Sequence, residues 1–495
     1  MSINNFFSLS ASLLLLFALI IPGIQLNAAI SHQPFEIHRF SLKNGLKVWC
    51  QPRPDSKSIV TYIVFRVGSR CESRANNGIS HFVEHMVFTG TQKWNEIEVK
   101  DIIRGRGGSM NGWTNSEETV YFAEVSAGDF DIAMEWLSQI TFLPTFPEAK
   151  VEKEKKVILQ EKGETYSCLD YFKIIFLGGK LDKEVRAALY PDSSLTLHTI
   201  GEEDSLKQIN REELINYYHK YYLPTNACLI IVGNVKPEVC LEKSVKYFGH
   251  LSEKPAPPFP QIQERPESGP YEINIQELLL LTQRCWLMVG ARTVGLANPD
   301  YWALKVLSKF LQNDLIEEIR YKNGLVYGLW AYNRTFSDTG YFVIETNSEI
   351  PDKEKILLTI KAHLEIIRRG QIDKEKLQKA KVCLIGEWAR YMENNLNRAN
   401  WLKKWVFVVK EPGPIPDYEA IIKSVTAGEL SRVVQTYFTP GRSYIAINLS
   451  ILKLFILFVG FITVILIVLF IKIKKRIRLK KKCGQLPVRK QTVDR

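Results

Sequence analysis

The sequence predicts an α+β protein of two similar domains, each a mainly antiparallel sheet packed by helices, followed by a C-terminal transmembrane helix. Three observations carry this expectation. Short strand patterns occur in pairs and runs mixed with helical patterns, which suits α+β layers rather than a βαβ repeat. Six of the 22 prolines fall within positions 255–270 and mark a linker between two comparable stretches. Residues 454–471 form an uncharged apolar run long enough to cross a bilayer core.

In chain order, residues 6–26 are almost wholly apolar and lead through Pro22-Gly23 to Leu26-Asn27-Ala28-Ala29. Residues 1–29 therefore read as a signal peptide with cleavage near Ala28 or Ala29, an uncleaved anchor being the rival. The first domain, 30–254, opens with a hairpin, strands at 35–42 and 46–50 around Asn44-Gly45, a pair that predicts a type I′ turn. A strand at 59–67, helices at 79–88, 96–104 and 127–139, and strands at 110–115 and 119–125 follow. A Glu/Lys-rich helix is expected at 151–162. After the linker, the second domain, 271–449, shows strands at 285–289, 341–346 and 444–448 and helices at 301–311, 353–368 and 374–393. The span, 451–471, contains Lys453 near its start, placed to snorkel outward. The tail, 472–495, carries eleven Lys/Arg against one acidic residue, Asp494. Positive residues stay on the cytoplasmic side, so the sequence predicts a single-pass cell-membrane protein with a cytoplasmic C-terminus and both domains extracytoplasmic.

The formal charge of +12 over 495 residues does not describe a nucleic-acid groove. The tail supplies +10 of it, leaving +2 for the rest of the chain. Eight cysteines are scattered without a CxxC pair, and seven lie upstream of the tail, so not all of those can pair within the chain. A chain this long does not need a disulfide framework, and which cysteines pair stays open.

The chemistry concentrates at His81-Phe82-Val83-Glu84-His85. Residues four apart share a helical face, so His81 and His85 can offer two imidazoles to one metal ion with Glu84 beside them. H-x-x-E-H is the inverted order of the zincin motif. Zinc takes imidazole and carboxylate ligands, and a catalytic site keeps one position for water. A third ligand must come from elsewhere. Glu154 and Glu161 are seven apart, two turns on one face of their helix. Glu161 is assigned as the third ligand, and Glu154 as a carboxylate that orients a ligand histidine. With one Zn2+ per chain, the metal would polarise a peptide carbonyl and acidify water, and Glu84 would act as general base.

With these residues the chain resembles the pitrilysin-type metallopeptidases, the group that includes insulysin and the mitochondrial processing peptidase. The resemblance covers about residues 36–449. HFVEHMVFTG (81–90) is similar to the family's zinc helix, and EKKVILQE (154–161) to its second signature, at a fitting step of 76 positions from His85 to Glu161. GSMNGWT (108–114) resembles the edge strand that binds substrate by β-addition, with Gly112 where the family usually has Ala after Asn111, a change that loosens the strand. Residues 221–234 resemble the strand region late in the first domain. RYKNGLVY (320–327) resembles a second-domain motif that contacts substrate; by this resemblance Tyr327 supplies an oxyanion donor and Arg320 holds substrate backbone. The two-domain length is similar to that of half-length members, which pair, and implies a homodimer or a heterodimer with a related subunit. The activity implied is hydrolysis of peptides or unfolded protein segments by a membrane-anchored metalloendopeptidase. Two other readings stay open: a non-catalytic assembly subunit, and a peptide-binding membrane protein that keeps zinc structurally.

Overall fold

The structure, a computed structural model, describes residues 36–165, 179–262, 267–277, 284–409, 413–450 and 452–483. The expected signal segment, Cys168, part of the linker (263–266) and the tail beyond Cys483 lie outside the described residues. Contacts divide the chain into Met1–Ile37, of which only Glu36 and Ile37 are described, and His38–Arg495, which holds every element below.

The fold is α+β, with two sheets packed by helices. The first sheet comprises β1 (His38–Ser41), β2 (Lys47–Pro52), β3 (Ser58–Phe65), β4 (Ser109–Thr114), β5 (Thr119–Ser126) and β6 (Ala227–Gly233), in the order β1-β2-β6-β3-β5-β4. The second comprises β7 (Tyr271–Glu277), β8 (Arg284–Val294), β9 (Val326–Thr335), β10 (Thr339–Glu349) and β11 (Ser443–Ser450), in the order β7-β11-β8-β10-β9. Leaving β1 aside, both sheets arrange their strands identically by chain order: first, fifth, second, fourth, third. In both, the first and fifth strands pair in parallel (β2 with β6, β7 with β11) and the other pairings are antiparallel. The third strand, β4 or β9, lies at a sheet edge in each.

The hairpin forms at the expected place, but its turn is not type I′. Asn44 does not adopt a positive φ; Gly45 does, at 83°. Gly45 N donates to Leu42 O and Leu42 N to Leu46 O, a three-residue loop of the kind that ends in a left-handed glycine. The Asn44 side chain is needed elsewhere. It is buried and donates to Phe248 O at 2.7 Å and Leu251 O at 3.2 Å, tying the hairpin to the helix Pro237–Phe248.

The central strands are apolar along their length because both faces are covered. On β3, Ile59, Ile63 and Phe65 enter the first core with Phe130, Met134 and Leu137 of the helix Phe130–Phe142. Tyr62 points to the other face and its hydroxyl donates to Asn400 Oδ1 at 3.0 Å. Asn400 belongs to the helix Asn395–Lys403, from the second half of the chain. Asn395 Nδ2 reinforces this crossing with bonds to Ser58 O and Oγ at 3.1 and 3.0 Å. The first half reciprocates. Leu181, Val185 and Leu189 of the helix Gly179–Leu189 pack with Trp286, Met288, Tyr341 and Tyr444 of the second sheet. Tyr190 hydroxyl donates to Gly340 O at 2.6 Å, and Tyr341 hydroxyl to Asp182 Oδ1 at 2.5 Å. Each half therefore lends a helix to the other's sheet.

A buried ion cluster joins the halves at one further point. The fully buried guanidinium of Arg70 donates to Glu117, in the β4–β5 turn, and to Asp338, in the β9–β10 turn. Glu117 also accepts from Ser337 N at 2.9 Å and Ser337 Oγ at 2.8 Å. Asp338 accepts from Ile262 N at 2.8 Å, which fixes the linker's path. The C-terminal helix, Leu452–Cys483, contains a candidate membrane span, Ile456–Lys475, none of which is buried.

Removing the cation at position 70 strands two carboxylates that it neutralises. The Arg70→Met variant is expected to lose about 3 kcal/mol of stability, read as a lower urea midpoint; an unchanged midpoint would show that the cluster does not join the halves.

Candidate active site

The site begins with the helix Ile79–Met86, whose first residue follows Gly78, a position with no side chain to cap the free N–H groups. A carboxylate from outside the helix takes that role. Glu72 accepts from Gly78 N at 2.8 Å, Ser80 N at 2.9 Å and Asn77 Nδ2 at 2.8 Å. Negative charge there meets the positive end of the helix dipole. Burial nevertheless raises the Glu72 carboxyl above its usual range, against the pull of those hydrogen bonds. Phe82, Val83 and Met86 anchor the helix in the first core. His81, Glu84 and His85 are thereby turned toward the helix Glu148–Thr165 and the strand β4.

Glu148–Thr165 places its acids by the expected spacing. Val151, Glu154 and Ile158 are its buried stripe, and Glu161 continues that face one turn on. Glu154, 8% exposed, has its Oε2 3.3 Å from His85 Nδ1. Glu161 Oε2 lies 3.4 Å from His85 Nε2 and 3.8 Å from His81 Nε2. The ligand atoms of His81, His85 and Glu161 all fall within 4.8 Å of one another. The structure thus brings together the three expected ligands and the expected orienting acid. Two imidazoles and a carboxylate are a donor set that suits zinc, and Glu154 meets the ring nitrogen of His85 on the side away from Glu161. His81 Nδ1 is buried and has no hydrogen-bond partner among the described residues, while Nε2 lies 3.8 Å from both Glu84 Oε2 and Glu161 Oε2.

Electrostatics separates the two histidines. Their ring centroids are 4.7 Å apart, so a positive charge on one ring disfavours a positive charge on the other. Burial, then the neighbouring His85, pushes His81 down. Burial opposes a proton on His85 as well, but hydrogen bonds to Glu154 and Glu161 outweigh it and push its pKa up to about 9. Glu161 is lowered, first by its hydrogen bond with His85. Glu84, 7% exposed, is pushed up to about 7 by burial. A carboxylate poised near neutrality is suited to accepting and returning a proton.

Glu84 is bracketed by β4. Thr114 Oγ1 donates to Glu84 Oε2 at 3.2 Å. A Cβ at position 112 would stand 3.2 Å from Glu84 Oε1 and 2.9 Å from the Tyr121 ring. Gly112 therefore keeps space open beside the second oxygen, and its pairing with Tyr121 of β5 is intact. Asn111 pairs with Phe122 on the same strand. Among the described residues β4 pairs only with β5, so its other edge faces away from the sheet.

Arg320 and Tyr327 are placed differently. Arg320 lies in a π-helical turn, Ile316–Lys322, with its guanidinium 5.3 Å from the Tyr327 ring centroid and 5.5 Å from that of Tyr321. Tyr327 is the second residue of β9 and is 79% exposed. The contacts described for these two residues are with each other and Tyr321, not with the His81–Glu161 cluster. Glu72 and Thr114 are the functional-site neighbours that sequence reasoning missed. A helix that opens after glycine has no side-chain cap of its own, which leaves room for one from elsewhere without naming it.

Comparison with known proteins agrees with this architecture. The family signature described as insulinase (peptidase family M16) matches residues 47–175, and that described as the peptidase M16 inactive domain matches residues 208–382. An uncharacterized zinc protease of Bacillus subtilis, YmxG, is 25% identical over 401 residues, covering 80% of this chain and 94% of its own. The mitochondrial-processing peptidase subunit beta of Bos taurus is 26% identical over 425 residues, covering 81% of this chain and 82% of its own. Among solved structures, a protease from Helicobacter pylori superimposes with a TM-score of 0.75 at 22% identity, over 84% of this chain and all of the other. The periplasmic protease PqqL of Escherichia coli superimposes with a TM-score of 0.70 at 18% identity, over 84% of this chain but 48% of the larger protein. The description of 208–382 fits the second half, where the helix after β8, Asp300–Leu315, carries no histidine. Two sheets of one topology and matches to both family domains together make this chain a half-length member of peptidase family M16.

Proposed function

We propose that the chain is a zinc-dependent endopeptidase that acts on peptides or unfolded segments outside the cytoplasm, anchored by its C-terminal helix and completed by a second, related chain. The observation that carries the reading is the convergence of His81, His85 and Glu161 beside Glu84, against the free edge of β4. His81 Nε2, His85 Nε2 and a Glu161 oxygen would hold Zn2+. When bound, the zinc supplies Lewis-acid polarisation of the scissile carbonyl and acidifies the attacking water.

The chain's own groups do the rest. Glu154 fixes the His85 ring through Nδ1, so that Nε2, which would give up its proton when the metal binds, would direct its lone pair into the site. Thr114 occupies Glu84 Oε2, which leaves Oε1, beside Gly112, to take the proton from water and deliver it to the leaving amine. An extended substrate added to β4 would pair with backbone at Asn111 and Gly112, a mode that reads main chain more than side chains and favours loose specificity. The exposure of Tyr327, stacked with Arg320 but apart from its own chain's cluster, supports a role for both at the site of a partner: Tyr327 as oxyanion donor, Arg320 on substrate backbone. The relative named subunit beta also supports a paired assembly. The unburied helix Ile456–Lys475, followed by basic residues, supports anchoring with the C-terminus inside. A non-catalytic assembly subunit is the second reading, favoured by the inactive-domain description of residues 208–382.

Purified full chain in detergent is expected to carry about one zinc and to cleave a mixed peptide pool until a chelator is added. Glu84→Gln should keep the metal and lose about 10²–10⁴-fold in kcat; cleavage at the parental rate would refute the assigned base. Glu154→Gln should weaken zinc affinity about 10–100-fold, measured by competition with a chromogenic chelator, and parental affinity would remove Glu154 from the site. If Tyr327 serves a partner, mixing the inactive Glu84→Gln and Tyr327→Phe chains should restore cleavage, whereas a mixture as inactive as its components would count against a site shared between copies.

A further inference from the structure

Cys50 lies in the middle of β2, and Cys240 one turn into the helix Pro237–Phe248 that packs on that strand. Both side chains are fully buried. Their sulfur atoms are 2.7 Å apart. That is well inside van der Waals contact for two sulfurs, and two thiols gain only a weak hydrogen bond by approaching. Both cysteines belong to the apolar first core, and among the described residues neither is part of a group that could hold a metal ion.

We infer that Cys50 and Cys240 are joined by a disulfide in the exported protein. The inference rests on the extracytoplasmic placement proposed above, because disulfides persist in oxidising compartments and not in a reducing cytosol. The bond closes a loop across 190 positions. It pins the hairpin and the last helix of the first half to each other, around the sheet whose far edge carries β4. The two thiols surrender two protons and two electrons to a protein disulfide donor. One thiolate attacks the donor disulfide and releases one donor thiol; the second thiolate then attacks the mixed disulfide and releases the other donor thiol. Since both sulfurs are buried once the helix has docked, exchange takes place during folding.

The test is a peptide map of the full chain, purified from membranes of a host that exports it, denatured and alkylated without reductant. A single species linking the Cys50 and Cys240 peptides, split by reduction, is the expected result. Alkylation of both peptides in a protein whose two sheets are digested by protease on intact cells would overturn the disulfide and leave the placement standing. If protease does not reach them, the placement fails, and the pair is decided by the same map on chain made in an oxidising cytosol: the linked species there sustains the pairing, and two alkylated peptides refute it. Where the bond forms, the Cys50→Ala, Cys240→Ala double variant should lower Tm by roughly 5 °C.

Discussion

The site depends on one imidazole held from both sides. His85 meets Glu154 through Nδ1 and Glu161 through Nε2, and both acids come from a single helix. Seven residues of helix rise about 10.5 Å, so the ring spans two turns only if the helices cross at one register. A shift of one residue along Glu148–Thr165 would rotate both carboxylates off the face by about 100°. The Val151–Ile158 stripe sets that register in the core, and Glu154 sits within the stripe as the one buried charge-bearing group. Such a group is tolerated because His85 is there to meet it.

What fixes the other side of the pair is the start of Ile79–Met86. Glu72 gathers its free N–H groups, and Ser205, from a neighbouring helix, donates to Asn77 O at 2.6 Å. The segment between β3 and this helix also holds Arg70, which reaches into the turns of both sheets. The helix that presents the histidines is therefore positioned by the same short segment that ties the two halves together. Movement between the halves would be felt at the candidate site through Arg70 and Glu72, over a few residues of chain.

The parts of this arrangement legible in the sequence were those with a period or a spacing. His81, Glu84, His85, Glu154 and Glu161 were all placed by helical geometry, and the structure brings them together. The apolar strands were visible for the same reason. Three features were not. Asn44-Gly45 predicted a type I′ turn on local preference, but the buried bonds of Asn44 to Phe248 and Leu251 set the loop instead. Gly112 read as a weak point in a strand, whereas its lack of a Cβ matters through the distant Glu84. The exchange of helices between the halves, Gly179–Leu189 for Asn395–Lys403, depends on contacts more than a hundred residues apart, and no local pattern encodes those.

The two halves share a strand order and a reciprocal helix, yet they carry different chemistry. In the first, the helix Ile79–Met86, the first α-helix after β3, bears two histidines, and β4 runs beside it. In the second, the helix before the edge strand bears none, and β9 presents Tyr327 outward with Arg320 stacked on it. One fold thus supplies a candidate metal site on one half and, on the other, an aromatic–guanidinium group of Arg320, Tyr321 and Tyr327. A residue exposed to 79% on an edge strand gains little from packing within its own chain beyond the stacked Arg320. If the chain works as proposed, the duplication has divided a single active site between the two halves, and closing it requires the first half of one chain to meet the second half of another.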